Sequence, residues 1–408
     1  MKKSYDVIVV GNGLVGLAMV SALRQAGLRI ALLQKHAIVS SPETDWRPIS
    51  LNYASIKILQ TLGVNEVFLQ HAVHLNQVLV TQQGHFGGLK FQAEALNVPM
   101  LGAVVSFDCL SLELYQQVAV EVDIYTLDRI ESIVGDTSTA AISFVSADQN
   151  RLLSAPLLIA ADGAHSDCRH QLGLSVDQQP CQDVSLIFEL QLSAAHRQQA
   201  WQRFTALGTL AIVPMQSSMV VRLVWTLSQS FAQQVASWSE VQLQAHFNQV
   251  YRGYCPEIVA VRCLRSHPLQ MSNASAQCQG RCVLMGNAAR TFYPTTAQGF
   301  NLAMRDVAAL AQLVVQAQFM GQDIGARGVL DAYLAWREPD QKNIMNITAR
   351  MNTVFGLQLP ALSSLRGLGL AAIELLPLIK PRLAKRLLGL AGRVPDLALG
   401  LPIVKEAV

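Results

Sequence analysis

The sequence is poor in charged and in aromatic residues. Of its 408 residues, 14% are charged and 6% are aromatic, whereas 51% are hydrophobic. No uninterrupted apolar run reaches the ~18 residues of a membrane-spanning helix, so we expect no transmembrane segment. The net charge of +3 is too small to indicate nucleic-acid binding. What remains is a globular chain long enough for two or three domains.

Motifs for metal sites and disulfide frameworks are also missing. The seven cysteines form no Cys-x-x-Cys, and the nine histidines form no His-Glu-x-x-His. Cys278 and Cys282 lie four apart, but no second pair of ligands is nearby in the sequence. These patterns favour reduced thiols, so we predict a cytoplasmic protein without a bound metal.

The amino-terminal residues carry a dinucleotide-binding motif. An apolar run at 5–10 leads directly into GNGLVG at 11–16, and a helical pattern and a second apolar run at 29–33 follow. In such a motif the first glycine makes a tight turn, the second admits the pyrophosphate, and the third lets helix pack on strand. Two lysines precede the apolar run, but it has no cleavage site and is not a signal peptide. Four residues are predicted to bind the dinucleotide at the helix N-terminus: Gly11, Gly13, Leu14 and Gly16.

A glutamine stands where the second strand of this unit usually ends in an acid. The usual acid accepts hydrogen bonds from the hydroxyls of the adenosine ribose. Gln34 offers a carbonyl oxygen for such a bond but has no charge. Because charge-assisted hydrogen bonds are stronger, we expect the cofactor to bind more weakly by about 1 kcal/mol. The strand–helix–strand unit alone does not distinguish FAD from NAD.

Three further segments carry related patterns. In LLIAADGAHSDCR, 157–169, an apolar run ends at Asp162-Gly163. In VLMGNAARTFYPTTAQGFNLAMRD, 283–306, an apolar run ends at Gly286, and a helical pattern follows a turn of small residues. In WRPISLNYASIKILQTLG, 46–63, Arg47 precedes a helical pattern.

Together these segments resemble the fingerprints of the flavoprotein aromatic hydroxylases typified by para-hydroxybenzoate hydroxylase. The resemblance covers residues 1 to about 355. GNAAR at 286–290, QGFNLAMRDV at 298–307 and RFTALGTLAIVPM at 203–215 are similar to the ubiquinone-biosynthesis branch. Within that branch they look most like the 2-polyprenyl-6-methoxyphenol hydroxylases. The resemblance implies FAD as the cofactor and NAD(P)H as a transient electron donor.

The resemblance also implies residue roles. Asn287 would hydrogen-bond a ribityl hydroxyl, and Arg169 would approach the nicotinamide. Main-chain N–H groups at 298–301 would face the N1/O2 edge of the flavin, where a helix N-terminus favours the negative charge of reduced flavin. Besides the four residues of the first motif, the implied cofactor contacts are Gln34, Arg47, Asp162, Gly286, Asn287, Gln298, Gly299, Phe300 and Asn301.

The implied reaction is hydroxylation of a polyprenyl phenol in ubiquinone biosynthesis, with O₂ as oxidant and a flavin C4a-hydroperoxide as the oxygen donor. Alternating patterns at 181–227 and 258–270 predict an antiparallel sheet over the flavin. Phe188, Val213 and Pro214 are candidate walls of the substrate pocket, although each of them also suits an ordinary sheet core. The ring position, the prenyl length and the choice between NADH and NADPH stay open.

Four positions depart from the family pattern: Gln34, Glu113, Arg290 and Ala297. Glu113 stands near the start of a helix, where it would repel the pyrophosphate. Ala297 replaces a frequent glycine, at a cost of about 1–2 kcal/mol if φ is positive there. A second hypothesis is therefore a non-catalytic relative, an assembly or lipid-binding component of the ubiquinone pathway.

The predicted fold class is α/β. A Rossmann-like FAD-binding domain of the para-hydroxybenzoate hydroxylase type takes 1–70, 97–175 and 276–355. A substrate domain with a mixed or antiparallel sheet takes 71–96 and 176–275, and a helical segment takes 356–408. Within this segment, 377–391 has a basic amphipathic pattern. It suits peripheral docking on the inner membrane face, packing on the FAD domain, or contact with other ubiquinone-biosynthesis proteins.

Overall fold

The computed structural model describes most of the chain. The described residues are 3–38, 47–64, 69, 71–85, 88–179, 181–293, 298–356, 374, 376 and 379–404. Ala297 and positions 377–378 of the basic pattern lie outside them.

A six-stranded sheet, parallel except at one edge, carries the amino-terminal motif. In sheet order its strands are β21 (Cys278–Gln279), β22 (Cys282–Leu284), β13 (Leu157–Ala160), β2 (Val7–Val10), β3 (Ile30–Gln34) and β9 (Asp123–Thr126). The strands β2, β3, β13 and β22 are buried along their whole length. Continuous apolar runs are expected there, because both faces of a parallel sheet are covered.

Helices cover one face of this sheet and a second sheet covers the other. In β2, Val7 and Val9 pack against the helices, whereas Ile8 and Val10 pack on the four-stranded sheet. That sheet consists of β1 (Lys3–Ser4), β12 (Gln149–Ala155), β11 (Ala140–Ser146) and β10 (Arg129–Gly135). The helices of this unit are α1 (Leu14–Arg24), α2 (Tyr53–Thr61), α3 (Phe107–Ala119), α4 (Asp167–Gln171), α7 (Gln298–Phe319) and α8 (Arg327–Gly356).

A seven-stranded sheet forms the second unit. In sheet order its strands are β19 (Ile258–Pro268), β15 (Asp183–Leu192), β18 (Val220–Ser228), β17 (Gly208–Pro214), β16 (Gln199–Thr205), β6 (Gln77–Gln82) and β7 (Gly88–Gln92). The pairing of β6 with β16 is parallel and the others are antiparallel, so the sheet is mixed. Two helices lie on one face: α5 (Gln229–Val235) and α6 (Glu240–Tyr251).

Two small sheets and a C-terminal helix complete the fold. One sheet contains β14 (Val176–Gln179), β20 (Met271–Ala274) and β23 (Arg290–Thr291); the other contains β4 (Pro48–Asn52), β8 (Gly102–Ser106) and β5 (Val73–Leu75). Short 3₁₀ turns occupy Glu94–Leu96, Gly286–Ala288 and Asp396–Leu399. The C-terminal helix is α9 (Ile379–Leu387).

The predicted α/β class is confirmed, with its nucleotide-binding sheet, mixed second sheet and helical tail. The exact domain boundaries stay predictions. Helix α9 packs on protein, because Ala384 and Leu388 are buried together with residues of β5, β7 and β8. None of the helices in the described ranges has the length and apolar character needed to cross a bilayer.

Candidate active site

The turn between β2 and α1 leaves space beside only one of its three motif glycines. A Cβ added at Gly11 would lie 2.4 Å from the oxygen of Ala161, and one at Gly16 would lie 1.9 Å from the oxygen of Gly11. These two glycines are required by the protein's own packing. Gly13 has no atom of the described chain within 4 Å of such a Cβ. The open side of Gly13 leaves room for the predicted approach of the pyrophosphate, which stays a prediction.

A second turn, at the end of β13, is held by Asp162. Its Oδ1 accepts a hydrogen bond from Ser166 Oγ at 2.6 Å, and its Oδ2 accepts one from the N–H of Cys168 at 3.0 Å. The Arg169 guanidinium donates to the oxygens of Ala164 and Ala288, at 2.9 and 2.8 Å. Arg169 thus joins this turn to the one after β22. The side chain is buried and used within the protein, and its nicotinamide contact stays a prediction.

The third turn follows β22. Gly286 has a φ of 57°, which favours glycine, and a Cβ there would lie 3.0 Å from Val15 Cγ2 in α1. The next residue, Asn287, is exposed in the 3₁₀ turn, as a contact with a cofactor requires. The three turns therefore meet at the carboxyl ends of neighbouring parallel strands, where ligands of such folds bind.

The start of α7 supplies further polar groups. Asn301 is buried and holds the helix to β4: its Oδ1 accepts from the N–H of Asn52, and its Nδ2 donates to the oxygen of Ser50, both at 2.8 Å. Gln298 is also buried, but its Oε1 has no hydrogen-bond partner in the described chain. Gly299 and Phe300 are half-buried in the same turn. An unpartnered buried oxygen beside helix N–H groups suits a polar ligand.

These features fit FAD. The open side of Gly13 adjoins the N-terminus of α1, which has no acidic residue in its first turn and is suited to a pyrophosphate. Leu14 is buried beneath that turn. Arg47 is exposed, with its guanidinium carbon 4.7 Å from the ring centre of Phe107 at the start of α3.

Gln34 is engaged within the protein. Its Oε1 accepts a hydrogen bond from Asn12 Nδ2 at 3.0 Å, and Asn12 also donates to the oxygen of His36 at 2.8 Å. Gln34 therefore ties the glycine turn to the end of β3. A carbonyl oxygen accepts two hydrogen bonds, so one acceptor site remains for the predicted ribose contact.

Glu113 does not extend toward the glycine turn. Its carboxylate accepts a hydrogen bond from Gln117 Nε2 at 3.1 Å, and the same amide donates to the oxygen of Gly63 just after α2. Tyr115, two residues along α3, points about 200° away on the helix and reaches Gln34. The Glu113 side chain thus lies on the side of α3 away from Tyr115 and Gln34, and its expected repulsion of the pyrophosphate stays a prediction.

Arg290 points into the interior. Its Nη2 donates to Gln277 Oε1 at 3.1 Å, and the Gln277 amide donates to the hydroxyl of the buried Tyr333. The arginine at this family-variable position thus links β23 to α8.

The register of the seven-stranded sheet separates the three candidate pocket residues. Phe188 is 1% exposed, and its ring centre lies 5.2 Å from that of Phe247 in α6. Pro214 lies on the same face of β17 as Leu210 and Ile212, which belong to that core. Placing Phe188 in the pocket was wrong, because α6 covers its face. The pocket role of Pro214, the last residue of β17, stays a prediction. Only Val213 is on the opposite face, where it is half-buried against an apolar cluster that includes residues of β5, β7 and β8.

The side of the sheet opposite α5 and α6 carries an apolar patch and two polar pairs. Ala211, Val213 and Val224 are half-buried neighbours on it. On the same face, Arg222 donates to Glu189 from the adjacent strand, and Glu189 also lies 3.1 Å from Arg262. At the start of β15, Asp183 accepts a hydrogen bond from Tyr293, which lies in the 283–306 motif segment.

Sequence reasoning missed both pairs. Glu189 and Arg222 are charged residues within apolar strands, a signal that would have located them. Nothing in the sequence links Asp183 to Tyr293, since they are 110 residues apart. Burial and the Asp183 carboxylate raise the pKa of Tyr293, so its hydroxyl stays protonated and donates.

Comparison with known proteins agrees with this geometry. The family model described as "FAD binding domain" matches residues 4–348. The chain is 28% identical to 3-demethoxyubiquinol 3-hydroxylase of Escherichia coli, over 94% of this chain and 98% of the relative. It is also 28% identical to ubiquinone hydroxylase UbiM of Neisseria meningitidis, over 94% and 84%.

Among solved structures, p-nitrophenol 4-monooxygenase PnpA of Pseudomonas putida has the same fold. The TM-score is 0.74 at 18% identity, covering 94% of this chain and 98% of that one. The resemblance to flavoprotein hydroxylases is confirmed, while the finer likeness to 2-polyprenyl-6-methoxyphenol hydroxylases stays a prediction. The chain belongs to the FAD-binding-domain family, and FAD is its cofactor.

Proposed function

We propose that this protein is an FAD-dependent monooxygenase that hydroxylates the ring of a polyprenyl phenol in ubiquinone biosynthesis. The observation that carries the proposal is the hydrogen bond between Asp183 and Tyr293, which ties the sheet with the apolar face to the segment after the third turn. The relatives support the pathway, because ubiquinone hydroxylases align over nearly the whole chain. NAD(P)H is the proposed electron donor and O₂ the oxidant.

The cofactor site would act mainly through the main chain. The open side of Gly13 and the N-terminus of α1 would hold the pyrophosphate, and the exposed amide of Asn287 would bind a sugar hydroxyl. The first turn of α7 presents N–H groups and the Gln298 oxygen at the end of the same site. When bound, FAD supplies the activation of O₂ and the transfer of oxygen.

The sheet face would bind and orient the phenol. Ala211, Val213 and Val224 give it an apolar surface, which excludes water from the reaction. The pairs Glu189–Arg222 and Asp183–Tyr293 supply polar groups on that face. Such a surface suits an aromatic ring with one hydroxyl and an apolar substituent.

The non-catalytic alternative has no support from the relatives, since their names are those of hydroxylases. Of the departures that motivated it, Glu113 accepts a hydrogen bond from Gln117 within the protein, and Gln34 keeps an acceptor site.

The test combines spectroscopy with a product assay. The absorption spectrum of the purified protein should show flavin bands at roughly 370 and 450 nm that survive dialysis. It should oxidise NADH or NADPH faster when a polyprenyl phenol is added, with one oxygen atom from ¹⁸O₂ in the product. Bound FAD without labelled product would reject the hydroxylase; the precursor that accumulates in a strain lacking the protein would identify the ring position.

Peripheral membrane association is a further part of the proposal. Arg382, Lys385 and Arg386 are exposed on α9, while the apolar side of that helix is packed against protein. An anionic surface would therefore meet basic side chains rather than an inserted apolar face. Flotation with anionic vesicles should decrease when all three are replaced by glutamine; unchanged flotation would contradict this role.

A further inference from the structure

The C-terminal residues complete the first turn of helix α2. Asn52 is the N-cap, and its Oδ1 accepts from the N–H of Ser55 at 3.0 Å. The N–H of Ala54, in the same turn, has no acceptor within the helix and donates to the oxygen of Leu388 at 3.0 Å. Asn52 Nδ2 donates to the oxygen of Leu387 at 3.1 Å. A segment far away in the sequence thus caps α2.

The same Asn52 contacts helix α7, whose first turn belongs to the proposed flavin site. Its main-chain N–H donates to Asn301 Oδ1 in the first turn of α7. Arg305 Nη1 donates to the main-chain oxygen of Asn301 at 3.2 Å, and Arg305 is held from behind by Asp340 at 2.9 Å. Two hydrogen bonds therefore separate the C-terminal carbonyls from the turn that presents its N–H groups to the cofactor.

Gly389 lies where these elements meet. Its φ is 79°, and an added Cβ would lie 2.8 Å from Ala54 Cβ, 2.9 Å from Asn52 Nδ2 and 3.1 Å from Arg305 Nη1. No side chain fits at this position unless the α2 cap or Arg305 shifts. Glycine is favoured at this position by its positive φ and, in addition, by the close approach of these neighbouring atoms.

The rest of the segment is anchored independently. Trp336 Nε1 donates to the oxygen of Arg393 at 2.9 Å, and the Arg393 guanidinium carbon lies 3.8 Å from the ring centre of Trp336. Gln312 and Asp396 exchange two hydrogen bonds, both at 3.0 Å. Leu397 and Ala398 are almost fully buried against the helices. Residues 387–398 are therefore a built part of the FAD-binding unit.

We propose that Gly389 and the carbonyls of Leu387 and Leu388 are positioning groups of the flavin site. They hold Asn52, which with Arg305 fixes Asn301 and the first turn of α7. Docking of 387–398 and binding of FAD are consequently coupled: each favours the other, as linkage requires. The inference rests on FAD being the cofactor, so binding of FAD by the wild-type protein serves as its internal reference.

Two glycine variants test the proposal. Gly389→Ala introduces both the unfavourable φ and the close contacts, whereas Gly392→Ala, with a φ of 76° and no described atom within 4 Å, introduces the φ alone. We expect the apoprotein of Gly389→Ala to bind FAD about tenfold more weakly than that of Gly392→Ala, with a changed visible circular dichroism of the bound flavin. Equal affinities and equal spectra would overturn the proposal, whatever the thermal stabilities.

A measurement on the wild-type protein covers the case in which Gly389→Ala does not fold. Hydrogen exchange of the N–H groups of Leu388, Gly389 and Leu390, all bonded in the end of α9, is compared with and without FAD. We expect FAD to slow their exchange several-fold, because both partners stabilise the same arrangement. Exchange that is unaffected by saturating FAD would refute the coupling. A wild-type protein that bound no FAD would instead reject the assigned cofactor.

Discussion

The three turns proposed to bind FAD and the sheet face proposed to bind the phenol are specified by different means. At the turns, main-chain atoms of different segments lie in close contact, so that a Cβ added at Gly16 would lie 1.9 Å from the oxygen of Gly11. On the sheet, function depends on which side of a strand each side chain occupies: Phe188 lies in the core under the helices, whereas its neighbour Glu189 pairs with Arg222 on the other face. The first kind of site tolerates few residue types, whereas the second tolerates many but depends on register.

The largest effect should come from Gly16. We expect Gly16→Ala to lower the free energy of unfolding of the apoprotein by about 4 kcal/mol or to prevent folding, because two backbone segments must separate. Gly13→Ala is the matched control: it should cost about 1 kcal/mol or less, yet weaken FAD binding about tenfold. Denaturant unfolding and flavin titration measure the two quantities. Normal FAD affinity in Gly13→Ala would contradict the assignment of its open side to the cofactor.

A pair of sheet variants tests the register. Phe188→Ala should lower the free energy of unfolding by about 3–4 kcal/mol, since it empties a site between the sheet and α6. Val213→Ala removes half-buried surface and should cost about 1 kcal/mol. It should nevertheless change the ratio of hydroxylated product to NAD(P)H consumed.

The coupling ratio decides the comparison between these two positions. It is measured for both variants under conditions in which each is folded. A ratio altered in Phe188→Ala but not in Val213→Ala would reverse the assignment of the two faces.

The glycine turns could be predicted from the sequence, whereas the faces of the seven-stranded sheet could not. The positions of Gly11, Gly13, Gly286 and Asn287 at adjacent strand ends follow from local patterns, because glycine at a strand-to-helix turn has a steric cause within a few residues. Strand alternation defines two faces but not which one α5 and α6 cover, and so Phe188 was misplaced.

Contacts between distant segments were also beyond reach. The capping of Ala54 by Leu388 and the pairing of Asp183 with Tyr293 depend on tertiary packing over long sequence separations. Neither residue type nor spacing reports such a contact in a single sequence. The departure at Gln34 was recognised, but not its partner Asn12, which lies within the glycine motif itself.

The Asp183–Tyr293 pair connects the two regions and should have an intermediate effect. Tyr293→Phe removes a hydrogen bond to a carboxylate and should lower the free energy of unfolding by about 1.5 kcal/mol. If the pair holds the sheet against the cofactor segment, the variant should also oxidise NAD(P)H with more hydrogen peroxide release. Asp183→Asn and the double variant complete a cycle; purely additive effects on coupling would show that the pair does not act as a unit.

The smallest effect is expected at Gln34, which contacts the glycine turn through Asn12 and also depends on its place at the end of strand β3. Gln34→Glu restores the acid usual at this strand end, and its carboxylate would still accept from Asn12. The Tyr115 hydroxyl, which accepts from the Gln34 amide in the wild type, would turn to donate to the carboxylate. FAD affinity, measured by flavin titration, should rise about fivefold, close to 1 kcal/mol, since a charged acceptor binds ribose hydroxyls more strongly.

The gain at Gln34 should be accompanied by a loss in the apoprotein. Position 34 is buried, and an ionised carboxylate without a ligand pays for desolvation there. We therefore expect apo Gln34→Glu to unfold more easily than the wild type as pH rises above the carboxyl pKa, with the difference vanishing at lower pH where the group is neutral. If FAD affinity rose while the stability of the apoprotein stayed independent of pH, the new carboxylate would be exposed to solvent. An unchanged affinity would mean that Asn12 and Tyr115 occupy the carboxylate fully, so that this strand end serves the turn and not the ribose.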